Sequence, residues 1–215
     1  MSEPRHSVDG AYDLKTPEDS VRYYGEWAPD YDRDFAETLG YAAPQRVAEV
    51  MLAERRADDR PVLDVGAGTG LVAAALAQAL GPDVPVDGID ISAEMLAVAR
   101  DKGLYRALIE ADLTRRLDIA DGAYGALISS GTFTHGHVGP DVLPELLRIL
   151  RPGGLSVFGI NRAVYDAERF GSAFAVLVAE GRITPLRFEA NRIYDREDHE
   201  HGQDVGLTAV FRKSG

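Results

Sequence analysis

The chain has 215 residues, of which 45% are hydrophobic and 27% charged, a composition that suits one globular domain with a continuous core. Its 35 acidic and 23 basic residues give a formal net charge of -12, which opposes binding to the phosphate backbone of a nucleic acid. The absence of cysteine excludes disulfides and thiolate catalysis. No signal-peptide core follows Met1, and no apolar run reaches the roughly 18 residues of a membrane helix. We therefore expect a cytoplasmic protein without membrane contact.

The N-terminal part of the sequence favours helices. Thr16 is followed by Pro17 and two acidic residues, an order typical of a helix start, and we predict this helix to continue to about Asp30. A second helix is predicted over residues 43–55, where apolar residues recur on one face. The residues of that face are Val47, Ala48, Val50 and Met51.

The middle of the chain alternates short apolar runs with helix-like stretches. Strands are predicted at residues 61–65, 84–91, 105–111, 124–129 and 155–160. Helices are predicted between them, at residues 71–80, 93–101 and 142–150. Alternating strands and helices are typical of a parallel sheet with helices on both of its faces.

The tail departs from this alternation. After a helix predicted around residues 164–180, two strand-like runs at 186–194 and 206–213 flank a polar segment without a helix. Strands joined in this way pair antiparallel. The predicted fold is therefore α/β, a Rossmann-like, doubly wound, mostly parallel sheet with a C-terminal antiparallel hairpin. We predict a single domain with a helical N-terminal region at residues 1–56 and a sheet-based core at residues 57–215.

A glycine-rich turn, VLDVGAGTG at residues 62–70, joins the first predicted strand to the next helix. Gly66, Gly68 and Gly70 allow the backbone to approach a ligand, and open parallel sheets bind ligands at this point. The spacing G-x-G-x-G differs from both the dinucleotide fingerprint and the phosphate-binding loop, and no lysine follows. A carboxylate at Asp64 would repel a pyrophosphate and attract a cation. Unless the segment is a mere tight turn, it favours a positively charged nucleoside.

Two further acidic residues follow the next two predicted strands. Asp90 lies about 20 residues beyond the glycine turn, where an acidic residue commonly accepts hydrogen bonds from ribose hydroxyls. Ser92 is the predicted N-cap of the following helix, so Met95 would lie near the base. Asp112, after the third strand, is placed to accept a hydrogen bond from an exocyclic adenine amine.

Four motifs occur in order over residues 61–161: VLDVGAGTG, GIDISAEML, ADLT and LPELLRILRPGGLSVFGIN. Together they resemble the class I S-adenosylmethionine-dependent methyltransferases. The flanking stretches YYGEWAPDYD and GTFTHGHVGP are similar to the methyltransferase-like group named for the Williams–Beuren region. The resemblance implies a methyltransferase that uses S-adenosyl-L-methionine and releases S-adenosyl-L-homocysteine. One departure is Gly125, where many relatives carry aspartate.

The resemblance also implies a cofactor site, position by position. The glycine turn would surround the methionine part, the acid after the second strand would bind the ribose, and the following residues would hold the adenine. The residues assigned in this way are Asp64, Gly66, Ala67, Gly68 and Gly70 in the turn, Asp90 at the ribose, Ile91, Met95, Asp112 and Leu113 at the adenine, and Ser129 and Ser130 near the amino group.

Three aromatic residues of the first predicted helix, Tyr24, Trp27 and Tyr31, are spaced i, i+3 and i+7. By the resemblance they would close over the cofactor as a lid, and a ring face near the sulfonium would add cation–π attraction. An amphipathic helix that packs on a core shows the same spacing. Both interpretations stay open at this point.

Histidines near the predicted pocket provide the candidates for catalysis. His135 and His137 follow the fourth strand, and either can act as a general base if the acceptor must lose a proton; otherwise they line a loop or the substrate wall. A second cluster, EDHEH at residues 197–201, lacks the H-E-x-x-H spacing of a zinc site. We predict a solvated turn there, and no metal.

The sequence constrains the methyl acceptor and the catalytic activity less tightly than it constrains the cofactor. The acidic composition and the lack of a separate recognition domain favour a small-molecule methyl acceptor. A module that binds S-adenosylmethionine without turnover, or that serves a partner protein, fits the same residues. A nicotinamide-dependent oxidoreductase is disfavoured by the glycine spacing and by Asp64.

Overall fold

The computed structural model describes residues 6–14, 16–80 and 84–215. The strands are β1 (Val62–Val65), β2 (Val86–Asp90), β3 (Ala107–Glu110), β4 (Tyr124–Phe133), β5 (Leu150–Asn161), β6 (Arg187–Arg192) and β7 (Val205–Arg212). The helices are α1 (Val8–Tyr12), α2 (Pro17–Trp27), α3 (Ala43–Glu54), α4 (Leu71–Leu80), α5 (Ala93–Asp101), α6 (Leu143–Ile149), α7 (Arg162–Ala167) and α8 (Phe170–Ala179). In these ranges no helix combines the length and apolarity needed to cross a membrane. Residues 1–5 and 15, part of the predicted N-terminal region, lie outside the described residues, as do 81–83.

The strands form one seven-stranded sheet in the order β3-β2-β1-β4-β5-β7-β6. The strands from β3 to β5 in this order pair in parallel, and β7 pairs antiparallel with both β5 and β6. The α/β, mostly parallel fold with a C-terminal antiparallel hairpin, predicted from the sequence, is confirmed.

The two faces of the sheet bury separate apolar clusters because neighbouring residues of a strand point to opposite faces. In β4, Ala126 and Ile128 face the cluster that contains residues of α3 and α4. Leu127 lies on the other face, in a cluster with Phe158 and residues of α6 and α8. Both faces of the sheet are thus covered by helices. A ligand can then reach the sheet only at the ends of its strands.

The first helix predicted from the sequence is α2, which starts where it was predicted but ends earlier. The Thr16 side chain caps α2 by accepting a hydrogen bond from the backbone N–H of Asp19 at 3.1 Å. The helix ends at Trp27 rather than near Asp30, because Pro29 lacks the N–H that the next helical hydrogen bond requires. A π-helical segment, Asp32–Glu37, continues the chain.

Two other elements differ from the sequence prediction. The helix predicted over 164–180 is two helices, separated at Arg169, which has a left-handed backbone with φ 60°. This break turns Phe170 into the core, where its ring lies 5.5 Å from that of Phe133. The short helix α1 was not predicted; its N-cap is Ser7, whose side chain accepts a hydrogen bond from the Gly10 N–H.

Candidate functional site

A cleft lies at the carboxyl ends of β1 to β4, next to α2 and α3. It encloses about 1020 Å³ of space free of protein atoms, including its opening to solvent. Many residues that the sequence assigned to the cofactor or to catalysis line this first cleft. They are Tyr24, Tyr31, Gly66, Ala67, Gly68, Asp90, Ile91, Met95, Asp112, Leu113, Ser130 and His137.

The glycine turn forms one wall of the first cleft. Gly66 has a φ of +69°, and a Cβ atom there would lie 1.9 Å from Oγ1 of Thr132. Gly68, with a φ of +52°, has more room, since the nearest atom to an added Cβ is Cε of Met95 at 3.8 Å. Gly70 also has a positive φ but packs against the Tyr105 ring and does not line the cleft. The turn therefore needs glycine at Gly66 for both backbone and space.

Asp90 is held in place by the backbone around it. Its Oδ2 accepts the N–H of Gly68 at 2.8 Å, and its Oδ1 accepts the N–H of Ser92 at 2.9 Å. Burial raises the pKa of Asp90 above its ordinary value, although these backbone hydrogen bonds lower it. Because each carboxylate oxygen has two lone pairs, the side chain can accept further hydrogen bonds from a ligand.

Asp112 supplies a second carboxylate to the first cleft. Burial raises its pKa, but hydrogen bonds from Thr114 and Arg115 outweigh that effect and hold the pKa below its ordinary value. Among the described residues, the lining of the cleft contains two carboxylates and neither lysine nor arginine. This lining fits a cationic nucleoside and opposes a ligand with phosphate groups.

Asp64 lies beneath the glycine turn rather than at its mouth. The side chain is fully buried and does not line the first cleft. Its Oδ2 accepts the hydroxyl of Tyr105 at 2.7 Å, whereas its Oδ1 is buried without a partner among the described residues. Burial raises the pKa of Asp64 to about 7; the Tyr105 hydrogen bond lowers it and the Asp90 charge raises it. The Asp64 carboxylate therefore does not face a ligand in the first cleft, where the sequence analysis placed it.

The two histidines after β4 occupy different places. His137 lines the first cleft; its Nδ1 lies 3.2 Å from the carbonyl oxygen of Gly131, and its Nε2 is buried without a partner among the described residues. Burial lowers the pKa of His137 to about 4, so the ring is neutral at neutral pH. With the proton on Nδ1, Nε2 is a free acceptor. His135 lies outside the cleft, with its ring 4.4 Å from that of Tyr12.

The three aromatic residues assigned to a lid do not all line the first cleft. Tyr24 and Tyr31 line the first cleft, and both also line a second cavity on the other side of β4. Trp27 lines this second cavity alone and is 3% exposed. Its ring stacks on that of Tyr24, with centroids 6.4 Å apart. Trp27 thus packs in the N-terminal aromatic cluster, while the two tyrosines reach the cleft.

The end of β4 separates the two cavities. Its pairing with β5 is irregular between Ser129 and Phe133, and Gly131 in this bulge has a φ of +80°. Ser129 is fully buried and donates to the carbonyl oxygen of Val65 at 2.7 Å, so it does not line the cleft. Ser130 lines both cavities, and its hydroxyl lies 3.2 Å from that of Tyr41. A bulge commonly redirects side chains in this way.

Some residues of the site were missed by the sequence analysis. Tyr41, Thr69 and Thr132 line the first cleft. Asp32 joins the N-terminal region to the glycine turn, since its Oδ1 accepts from the Thr69 hydroxyl at 2.6 Å and its Oδ2 accepts from the Lys102 ammonium. The acidic PDYD stretch after α2 was the available signal for such a contact.

Two sequence features outside the cleft have structural explanations. At Gly125 a Cβ would lie 2.3 Å from the backbone nitrogen of Arg60, which accounts for the glycine where relatives carry aspartate. In the 197–201 segment, His201 bonds Asp9 and Asp204, whereas the His199 ring packs edge-on against Tyr194. Among the described residues, no group of three potential ligands is arranged to hold a metal ion.

Three features of the chain agree with a nucleoside-binding α/β protein: the open sheet, the glycine turn after β1, and the carboxylates after β2 and β3. A family model described as a methyltransferase domain matches residues 62–154. This match confirms the resemblance to the class I S-adenosylmethionine-dependent methyltransferases that the motifs predicted.

The relatives narrow this assignment. The chain is similar to Methyltransferase-like protein 27 of Homo sapiens, with 35% identity over 158 residues, or 72% of this chain and 63% of the human protein. The chain thus spans less than two thirds of that relative. The human protein is the methyltransferase-like protein of the Williams–Beuren region, so the narrower resemblance is confirmed.

Solved structures support the fold. The [4+2]-cyclase SpnF has a TM-score of 0.68 and 18% identity, with 94% of this chain and 98% of that chain covered. A SAM-dependent methyltransferase from Aquifex aeolicus has a TM-score of 0.57 and 16% identity, with coverages of 81% and 95%. At these identities the likeness concerns the fold alone.

Proposed function

We propose that this chain transfers a methyl group from S-adenosyl-L-methionine to a small-molecule acceptor, within a single domain that comprises the N-terminal helical region and the sheet-based core. One observation carries the proposal. The first cleft combines a glycine turn with the carboxylates of Asp90 and Asp112, and its described lining contains no lysine or arginine that would neutralise a phosphate.

The proposed binding roles follow the lining of the first cleft. The Asp90 carboxylate, already oriented by two backbone N–H groups, accepts hydrogen bonds from the ribose hydroxyls. Ile91 and Met95 pack against the adenine, and Asp112 with Leu113 lies at its amino edge. The backbone of Gly66 to Gly68 and the bulge at Ser130 enclose the methionine part. Gly70 and Ser129 support the turn and the bulge from behind.

When bound, the cofactor supplies an electrophilic methyl group on a sulfonium. The protein then mainly has to orient the acceptor and exclude water, and orientation of this kind contributes roughly 7–11 kcal/mol to catalysis. Tyr24 and Tyr31 cover the first cleft from the N-terminal side. His137 Nε2 accepts the proton of an acceptor that must lose one, while His135 is a loop residue behind it. Asp64 supports the turn from beneath through its hydrogen bond with Tyr105.

Calorimetric titration of the full chain with S-adenosyl-L-methionine, S-adenosyl-L-homocysteine and NAD tests the cofactor assignment. We expect binding of the two sulfur nucleosides and no measurable binding of NAD, because the carboxylates of the first cleft repel its pyrophosphate. Tight binding of NAD without binding of S-adenosyl-L-methionine would overturn the proposal.

A further inference from the structure

The second cavity lies beside the first cleft, at the same edge of the sheet. It encloses about 730 Å³ of space free of protein atoms, including its opening. The two spaces share Tyr24, Tyr31, Tyr41, Ser130 and Gly131 in their lining. A ligand in the second cavity would therefore meet a ligand of the first cleft at the β4 bulge.

The walls of the second cavity contain eight aromatic residues and no unpaired charge among the described residues. Among the described residues, its lining has no carboxylate, lysine or histidine. Its two arginines each have an acidic partner, since Arg46 bonds Asp195 at 3.1 Å and Arg192 pairs with Glu197. The aromatic residues that line the second cavity alone are Tyr12, Trp27, Phe35, Phe133 and Tyr194.

The floor of the second cavity is polar but neutral. Gly206 of β7 pairs with Asn161 of β5 on one side and with Asn191 of β6 on the other. Residues directly opposite each other on neighbouring strands point to the same face. Since both asparagines and Gly206 line the cavity, they form its floor together with Thr208. The amides and the hydroxyl can bond a polar group on the far end of a ligand.

On the basis of the proposed function, we propose that the second cavity binds the methyl acceptor, and that this acceptor is a flat, uncharged aromatic molecule with a hydroxyl group at the β4 bulge. Aromatic side chains of the walls can bury a planar ring. A charged group on the ligand would lose its hydration there without gaining an unpaired side chain of opposite charge. The hydroxyl follows from His137, whose Nδ1 lies 3.2 Å from the carbonyl oxygen of Gly131 and whose buried Nε2 is a free acceptor.

The transfer that this geometry supports is an O-methylation. The hydroxyl oxygen bonds to the methyl carbon while the carbon–sulfur bond breaks, and the electron pair of that bond stays on sulfur. The hydroxyl proton goes to Nε2 of His137, which later releases it to water. The products are a methyl ether and S-adenosyl-L-homocysteine.

Trp27 provides a built-in reporter, because it is the single tryptophan of the chain and lines only the second cavity. We would titrate the full chain, saturated with S-adenosyl-L-homocysteine, with three probes that share one ring system: 2-naphthol, naphthalene-2-sulfonate and 2-naphthylmethylammonium. We expect 2-naphthol to quench Trp27 emission with an affinity at least about tenfold above those of both charged probes. Equal or tighter binding of either ion would overturn the assignment.

A cavity-filling variant locates the probe. At Gly206 an added Cβ would meet Cγ1 of Ile193 at 3.5 Å, an ordinary contact, so Gly206→Leu fills the floor. We expect it to weaken 2-naphthol binding by about tenfold or more, and the smaller Gly206→Ala by roughly two- to fivefold, with S-adenosyl-L-homocysteine affinity unchanged. Val176→Ala, on the exposed face of α8, is the matched control and should change neither affinity.

The outcomes separate the two proposals. If Gly206→Leu does not fold, as judged by circular dichroism, Gly206→Ala decides. Unchanged 2-naphthol affinity in the folded variants, or weaker 2-naphthol binding to the chain saturated with S-adenosyl-L-homocysteine than to the chain alone, would overturn the acceptor assignment alone. Failure of the wild-type chain to bind S-adenosyl-L-homocysteine would instead remove the proposed function.

Discussion

The first cleft and the second cavity share a border but are built differently. The first cleft is formed mainly by short segments that directly follow β1, β2, β3 and β4. The second cavity brings together residues from Val8 to Thr208, including α1, the π-helical segment and the C-terminal hairpin. Its aromatic residues are therefore distant in sequence, and most of them also serve as core.

This difference follows from how the fold assembles each of the two spaces. Strand ends of a parallel sheet meet at one edge, so a few local motifs are enough to place glycines and carboxylates around a nucleoside. A pocket between a helical cover and a hairpin needs no local motif, because any residues of suitable size can form its wall. The following variants test each region and the contact that joins them.

The largest effect is expected at Gly66, in the first cleft. Gly66→Ala combines a left-handed backbone with a Cβ placed 1.9 Å from Oγ1 of Thr132, so the free energy of unfolding should fall by roughly 2–5 kcal/mol. Gly103→Ala is the control, since Gly103 has a φ of +65° and nothing lies within 4 Å of its added Cβ. It should cost only about 1–2 kcal/mol of backbone strain in urea denaturation. Equal losses in both variants would refute the close packing of the turn.

The pH dependence of stability tests the buried charge beneath the turn. Burial raises the pKa of Asp64 to about 7, against an ordinary value of 3.8, so between these values the folded chain holds a proton that the unfolded chain has lost. The contribution of Asp64 to stability therefore falls as the pH rises through this window, by up to about 1.4 kcal/mol per pH unit.

Asp64→Asn keeps the shape and the acceptor for Tyr105 but removes the titration. Relative to the wild type, its free energy of unfolding should rise from about pH 4 to pH 7 and then stay level. A difference that does not change with pH would mean that Asp64 titrates normally.

The proposed ribose contact should give an intermediate effect. Asp90→Asn retains a carbonyl oxygen but loses the charge that strengthens its hydrogen bonds, so S-adenosyl-L-methionine binding should weaken by about 1–3 kcal/mol in calorimetry. Glu110→Gln is the matched control, because Glu110 pairs with Asp90 in the register of β2 and β3 but is exposed and does not line the first cleft. If both variants lose the same affinity, the effect is one of net charge alone.

The smallest effect is expected where the two regions are joined. Asp32→Asn weakens the contacts with Thr69 and Lys102, a partly exposed pair worth about 0.5–1.5 kcal/mol. Amide hydrogen exchange should become faster in residues 17–37, and S-adenosyl-L-homocysteine should dissociate a few times faster. Asp34→Asn is the control, since the partner of Asp34 is Arg33 within the same segment. Unchanged exchange in Asp32→Asn would mean that the contact does not hold the N-terminal region closed.

Much of the core was predictable because its signals are local. The alternation of apolar runs and helices specified a mostly parallel sheet, and the Thr16 cap specified where α2 begins. Long-range effects account for the errors. β4 extends to Phe133 and β5 starts at Leu150 because pairing with neighbouring strands prolongs both, and the break at Arg169 follows from the burial of Phe170.

By itself, the sequence determined the class of fold, the glycine turn and the order of the acidic residues, since each depends on neighbours within a few positions. Tertiary structure decided which of these groups face open space. It buried Asp64 and Ser129, turned Trp27 away from the first cleft, left Nε2 of His137 unpaired within it, and assembled the second cavity. Such outcomes depend on how distant segments pack, and the periodicity of a single element contains no information about its eventual neighbours.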